Sequence, residues 1–265
     1  FQATWISAST IAIYLLCRHR KFESMISLII SVLYSLFYGI QYAVFFDFHP
    51  VVLGIGLLVW MLYFFETKRK RLFWITLVLV LATQENMGLA VASIGFVYLF
   101  HKQWRASALG FIIGGIAVSL VSGKLIALFS PIGFQYQPQI SSNPMTILMD
   151  FFNSPEKQQV WLYTLSWFSF LPLLSPGAML GIGFDVAQYF VTGPEFARMW
   201  SPFMHHRISL APLVTLGTLD ALAFLKSKKI PLLAPRSLGG VGLTVSCLLL
   251  LIAAMQQYIL HLPLN

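Results

Sequence analysis

Three short stretches of this chain carry the side chains best suited to chemistry. The first is Phe46-Asp47-Phe48-His49-Pro50, where a carboxylate and an imidazole stand two positions apart. Such a pair can share a proton, bind a divalent cation or orient a hydroxyl. The plainer role for Asp47 is to cap a helix that Pro50 begins. The second stretch is Gln84-Glu85-Asn86, a polar trio that interrupts an apolar run and is followed closely by Gly88. Glu85 there reads as a base, a metal ligand or a hydrogen-bond anchor for a polar substrate; the alternative is a structural tie that closes a turn through backbone N–H groups. The third is a set of cations, Lys124, Arg198 and the run His205-His206-Arg207, which opens an apolar segment. Cations at a membrane surface suit phosphate, while the plainer readings are a snorkelling lysine for Lys124 and a solvated loop charge for Arg198. Asp185 and Asp220 lie inside apolar segments and read as packing ties. Cys17 and Cys247 lie in or beside apolar blocks without metal-ligand spacing, so we expect no disulfide.

The elements that must hold these residues follow from composition. Of the 265 residues, 58% are hydrophobic and 10% charged, and the mean hydropathy is +0.78. Soluble domains carry about 25% charged residues. The apolar residues fall in continuous blocks of membrane-spanning length, which excludes the alternating pattern of a barrel and leaves helices. The expected fold is all-α, a polytopic transmembrane helix bundle forming a single domain over 1–265. The net charge of +8 comes from basic loops rather than from an aromatic–basic stripe, so a nucleic-acid partner is not expected; the lipid bilayer is.

The blocks give a topology. Spans are expected at about Phe1–Cys17, Met25–Phe46, Val51–Phe65, Ala106–Phe129, Val160–Leu174, Gly177–Val191, His206–Leu225 and Leu238–Leu262. The run from Leu72 to Phe100 has basic loops at both ends and its polar trio in the middle, so it reads as a short or re-entrant helical hairpin. With basic loops placed in the cytoplasm, 13 of the 17 lysines and arginines fall inside, as the positive-inside rule requires. The segments 46–50, 130–159 and 192–205 then lie at the outer face. A short interfacial helix is expected over Thr146–Phe152, and Tyr136, Trp161 and Trp200 suit an interfacial belt. The chain opens on Phe1 directly into an apolar block, which reads as the truncated start of a longer protein.

The Phe46–Pro50 turn, the Gln84-Glu85-Asn86-Met87-Gly88 tip and His205-His206-Arg207 before a span, in this order and spacing, resemble the prokaryotic membrane family known as domain of unknown function 2079. The resemblance runs from about Ser31 to Leu225. Its Phe-His-Pro motif matches here; of its Lys-Glu-Asp-like triplet only the central acid is kept, as Glu85. That family is similar to the C-type glycosyltransferases, multispanning enzymes that use polyprenyl-phosphate-linked sugars. What the resemblance implies is a multi-pass protein of the cell membrane with its site on the non-cytoplasmic face. There a sugar would pass, with inversion, from a polyprenyl-phosphate donor to an acceptor hydroxyl or amide. The family also carries an acidic motif, the expected base, in an outer loop earlier than this chain begins. Within this chain Asp47, His49 and Glu85 would form the polar centre, and Lys124, His205, His206 and Arg207 would hold phosphate. The residues alone leave open a divalent cation, and two other functions: a transporter or flippase for a lipid-linked or small polar solute, and a non-catalytic membrane scaffold.

Overall fold

The computed structural model describes residues 1–131, 133 and 142–228, and every regular element among them is helical. The helices are α1 (Gln2–His19), α2 (Ser24–Leu36), α3 (Tyr38–Phe45), α4 (Pro50–Glu66), α5 (Lys70–Leu81), α6 (Met87–Leu99), α7 (Arg105–Phe129), α8 (Pro144–Asp150), α9 (Pro155–Ser166), α10 (Pro176–Phe190) and α11 (Leu210–Ser227). Short 3-10 turns lie at Lys102–Trp104, Leu171–Leu174, Pro194–Trp200 and His205–Ser209. The expected last span Leu238–Leu262, most of the basic loop before it, Cys247 and Tyr136 lie outside the described residues.

The protein is a helical membrane bundle. Lys102–Phe129 and His205–Ser227 are each long and apolar enough to cross a bilayer, and α2 with α3 qualifies as one bent span. Most elements begin and end near the positions the hydropathy blocks indicate; three differ. The block Met25–Phe46 is broken by 45° at Phe37, whose backbone is extended (φ −51°, ψ 133°). Phe37 is fully buried, packed on the rings of Tyr38 and Trp167. Two residues on, a side chain at Gly39 would run into the Arg207 carbonyl. The bend is therefore set by tertiary packing. The span expected over Val160–Leu174 starts earlier, at Pro155, and stops at Ser166; the chain then passes through left-handed Ser169 and Phe170 into the 3-10 turn. Asp47 does not cap α4: His49 holds the N-cap position without a side-chain bond, and Pro50 takes the first turn.

The region 72–100 is a hairpin with its turn at residues 82–86. Its arms, α5 of 12 residues and α6 of 13, reach roughly 18–20 Å at 1.5 Å per residue, short of a hydrocarbon core of about 30 Å. Their far ends meet again at Phe65, whose ring lies 5.5 Å from Phe73 and 5.3 Å from Tyr98. Between those ends the arms pack elsewhere, α5 on α4 and α6 on α7 and α10. Small residues let α6 and α7 approach. A side chain at Gly88 would strike the Gly115 carbonyl, and one at Gly115 the Gly88 carbonyl and the Ala92 nitrogen. Backbone contact of this kind is how helices associate in lipid, where apolar side chains gain little by leaving one apolar solvent for another. The other faces of α7 are open and apolar, with Leu109, Ile113, Leu120, Val121 and Leu128 exposed.

One end of the bundle collects the basic loops, and a network of charges locks it. The Arg20 guanidinium, just past α1, makes a paired contact with both Glu66 carboxylate oxygens. Its Nη1 donates to Asp220 Oδ1 at 2.9 Å. Tyr98 donates to Glu66 at 2.6 Å, His101 Nε2 lies 3.1 Å from Asp220 Oδ2, and Ser175 donates to that same oxygen at 3.2 Å. Asp220, expected as a packing tie, is here the point where α11 joins α1, α6 and the start of α10.

Two outcomes follow. Gly115→Leu lowers the unfolding temperature in detergent, at a cost of about 1–3 kcal/mol for overpacking. Gly110→Leu, whose position on the same helix faces open space, stays within about 0.5 kcal/mol; equal melting of the two variants contradicts the crossing. The Arg20 and Glu66 side chains are only 13% and 6% exposed, so screening is weak. Arg20→Ala, which leaves two carboxylates facing each other, costs about 3–5 kcal/mol. In an unfolding cycle the Arg20→Ala/Glu66→Ala double variant loses less than the two single variants together; simple additivity refutes the coupling.

Candidate functional site

At the opposite end of the bundle the turns 46–50, 82–86 and 199–209 come together. Pro50 starts α4 and leaves His49 extended at its head (φ −125°, ψ 133°), so its ring projects toward the 3-10 turn that begins at His205. The two imidazoles stack face to face, centroids 3.8 Å apart and planes within 10°. Phe46 lies 5.2 Å from His49 and 5.0 Å from His205. Rings stacked this way do not aim their nitrogens at one point, and no group of three or more metal-binding side chains occurs among the described residues. His205 Nδ1 is buried without a partner.

From His205 the contacts run inward. Its ring meets that of His206 edge-on at 5.6 Å, and His206 stacks on Tyr189 at 3.8 Å. His206 Nε2 stands 3.2 Å from the Met199 carbonyl; a carbonyl only accepts, so that nitrogen carries the proton. Arg207 is 1% exposed. Its Nε donates to the Ser201 carbonyl at 3.1 Å and its Nη2 to the Met199 carbonyl at 2.6 Å. The guanidinium lies over Tyr189 at 5.3 Å and Phe190 at 5.2 Å. Its Nη1 is buried and has no acceptor. Asp185, also buried, is within electrostatic reach of Arg207. Its carboxylate accepts instead from Ser209 at 2.7 Å, and the ion pairs among the described residues all belong to the basic end.

The hairpin tip joins this cluster through one bond, Asn86 Nδ2 to the Tyr189 hydroxyl at 3.1 Å. Asn86 Oδ1 and Gln84 Oε1 are buried without donors. Glu85 is half-buried. Its backbone carbonyl accepts from Ser119 of α7 at 2.8 Å, and its charge lies within reach of the Tyr189 phenol. Among the described residues no hydrogen bond ties down its carboxylate, so the tie that closes the turn is carried by the Glu85 carbonyl and by Asn86.

The structure thus links His49, His205, His206 and Arg207 with the tip that bears Glu85. Asp47 and Lys124 are exposed and make no hydrogen bond or ion pair with that group among the described residues; Arg198 is exposed as well. Two residues of this end escape the sequence reading. Tyr189 is the hub between Asn86, His206 and Arg207, yet a tyrosine near a span's end looks like an interfacial one. Lys157 reads as a loop charge but is 1% exposed. It donates to the Asp150 carbonyl at 2.7 Å, to Asn153 Oδ1 at 2.9 Å and to the Phe190 carbonyl at 2.9 Å, and it sits 4.0 Å above the Trp200 ring. All three of its donors are used, so Lys157 pins α8, α9 and α10 and has nothing left for a ligand. A signal was present in Ser154-Pro155-Glu156, a helix-start pattern: Ser154 does cap α9, accepting from the Lys157 nitrogen.

Among known proteins, no curated protein and no solved structure matches this chain. A family model described as "Predicted membrane protein (DUF2079)" matches residues 1–264. The chain belongs to that membrane-protein family.

Proposed function

We propose that this is a membrane glycosyltransferase that moves a sugar from a polyprenyl-phosphate donor to an acceptor on the non-cytoplasmic face. The observation that carries the reading is the buried Arg207 guanidinium with a free Nη1, joined through Tyr189 to the tip that holds Glu85. A cation deprived of water and of any carboxylate partner favours an anion, and arginine suits phosphate oxygens geometrically. The basic loops collected at the opposite end support the non-cytoplasmic face for this one. The chain then acts as one membrane domain in the cell membrane, with 46–50, the described residues of 130–159, and 192–205 at the outer face.

In the reaction so proposed Glu85, rather than the earlier acidic motif that the resemblance implies, takes the proton of the acceptor hydroxyl or amide as the acceptor's oxygen or nitrogen bonds to the anomeric carbon. The bond from that carbon to the phosphate oxygen breaks, with inversion, and the electron pair leaves on polyprenyl phosphate. Arg207, through its free Nη1 and beside the imidazoles of His49 and His205, stabilises the departing charge, while His206 keeps its own N–H on the Met199 carbonyl and holds the loop that carries Arg207. Asp47 and Lys124, being exposed, act at the rim, where they meet headgroups and acceptor.

The test is turnover of radiolabelled polyprenyl-phosphate sugars by the protein in proteoliposomes. Glu85→Gln lowers kcat by about 100-fold or more, the range of a general base. Arg207→Gln lowers kcat/KM, while Asp47→Asn and Lys124→Gln change it by only a few-fold. Wild-type turnover in Glu85→Gln overturns the assignment, and movement of an intact solute across the bilayer with no bond broken replaces transfer by transport.

A further inference from the structure

Four buried atoms at this end lack partners, His205 Nδ1 among them, and the other three do so in a complementary way. Arg207 Nη1 is a donor without an acceptor, whereas Gln84 Oε1 and Asn86 Oδ1 are acceptors without donors. Turning either amide over does not remove the mismatch. One edge of Asn86 faces the Tyr189 hydroxyl, which can donate as well as accept, and the other edge stays open either way. Buried polar groups left unpaired are costly and uncommon in native proteins. Here Asn86 and Arg207 meet at one tyrosine, whose hydroxyl binds Asn86 and whose ring lies under the Arg207 guanidinium, and Gln84 stands two residues before Asn86 on the same hairpin tip.

We infer that the hairpin-tip amides of Gln84 and Asn86 read the hydroxyl groups of a glycosyl phosphate whose phosphate is held by Arg207. The ligand class follows from the mismatch. An unglycosylated phosphate monoester satisfies Arg207 and leaves both amides unpaired. A neutral sugar satisfies the amides and leaves a buried cation alone. A molecule carrying an anion and hydroxyls on one compact frame satisfies all three. The inference rests on the transferase reading for one consequence: the tip tells a loaded donor lipid from the spent lipid phosphate, since after transfer only the Arg207 contact remains and the product is held more weakly. Specificity from hydrogen bonds to hydroxyls is steep, because the analogue lacking them strands buried polar groups.

The experiment measures binding to the protein in detergent by microscale thermophoresis. The probes are farnesyl phosphate, its mannosyl, glucosyl, galactosyl and arabinosyl phosphodiesters, and the corresponding sugar 1-phosphates. At least one glycosylated lipid binds 10-fold or more tighter than farnesyl phosphate. Asn86→Leu and, separately, Gln84→Leu bring that ratio toward one; because it compares two ligands on one preparation, the fraction of folded protein cancels. Arg207→Gln weakens both ligands 10-fold or more. A free sugar 1-phosphate that binds as tightly as its lipid form makes the soluble molecule the ligand, with the same chemistry. A wild-type ratio near one, or a ratio that survives in both amide variants, overturns the inference. A ratio lost in those variants without any sugar turnover leaves the inference standing and removes the transferase reading. Turnover with equal affinity for both lipids does the reverse.

Discussion

Two buried arginines, one at each end of the bundle, are held by opposite electrostatic means. Arg20 lies between two carboxylates, Glu66 and Asp220, and its charge is cancelled at bond distance. Arg207 is held by two backbone carbonyls and two aromatic faces, none of which carries a formal charge. Carbonyl dipoles and ring quadrupoles lower the cost of burying a guanidinium, but they do not neutralise it. The first arrangement is closed: a further ligand would have to displace a partner from the ion pairs. The second keeps both a charge and a free N–H. That contrast within one chain is why the basic end is read as a lock and the other as a site.

The open arginine governs the backbone around it. Its carbonyl touches Gly39, where no side chain fits, and the bend at Phe37 brings α3 into that contact. Its side chain draws on Met199 and Ser201, which fixes the 3-10 segment before α11. His206, whose ring shares Tyr189 with the guanidinium, binds the same Met199 carbonyl. α11 begins three residues after Arg207, so the positive end of that helix dipole adds to the local potential. Asp185 is near enough to moderate this field, yet Ser209 claims its oxygen. The result is a positive, poorly hydrated spot assembled from three loops distant in sequence.

The sequence made some of this legible. The hairpin was readable because a polar trio in an apolar run is expensive in lipid unless it ends a turn, and helix boundaries followed the basic loops and prolines. His49, Glu85 and the His205–Arg207 run stood out because ionisable groups beside spans are rare. What pairs with what was not readable. Arg20 meets Asp220 across 200 residues, and both looked complete in local roles, one a topology signal and the other a packing tie. Phe37 carries no glycine or proline to announce a break; the reason for the bend lies in α9 and in Arg207. Asp47 was the reverse case, conspicuous by its neighbour His49 and by Pro50, yet exposed and apart from the cluster.

Depth gives the last constraint. Ser119 of α7 holds both the Glu85 carbonyl and the Leu89 N–H, so the hairpin tip is level with that residue. α7 runs on for about ten more residues, roughly 15 Å. Polar groups at that level must be sheltered from hydrocarbon, and the Asn86–Tyr189 bond does this by docking the tip on α10. On the proposed reading the depth suits the substrate. A prenyl chain keeps a phosphate near the lipid interface, and a short hairpin ends where that phosphate can meet it without the protein drawing a charged head to the middle of the bilayer. A hairpin longer by two turns, about 11 Å, would carry Gln84 and Asn86 past Tyr189 and away from the bond that docks the tip on α10. The shortness of α5 and α6 is therefore what keeps the tip amides level with Tyr189, where the proposed reading needs them.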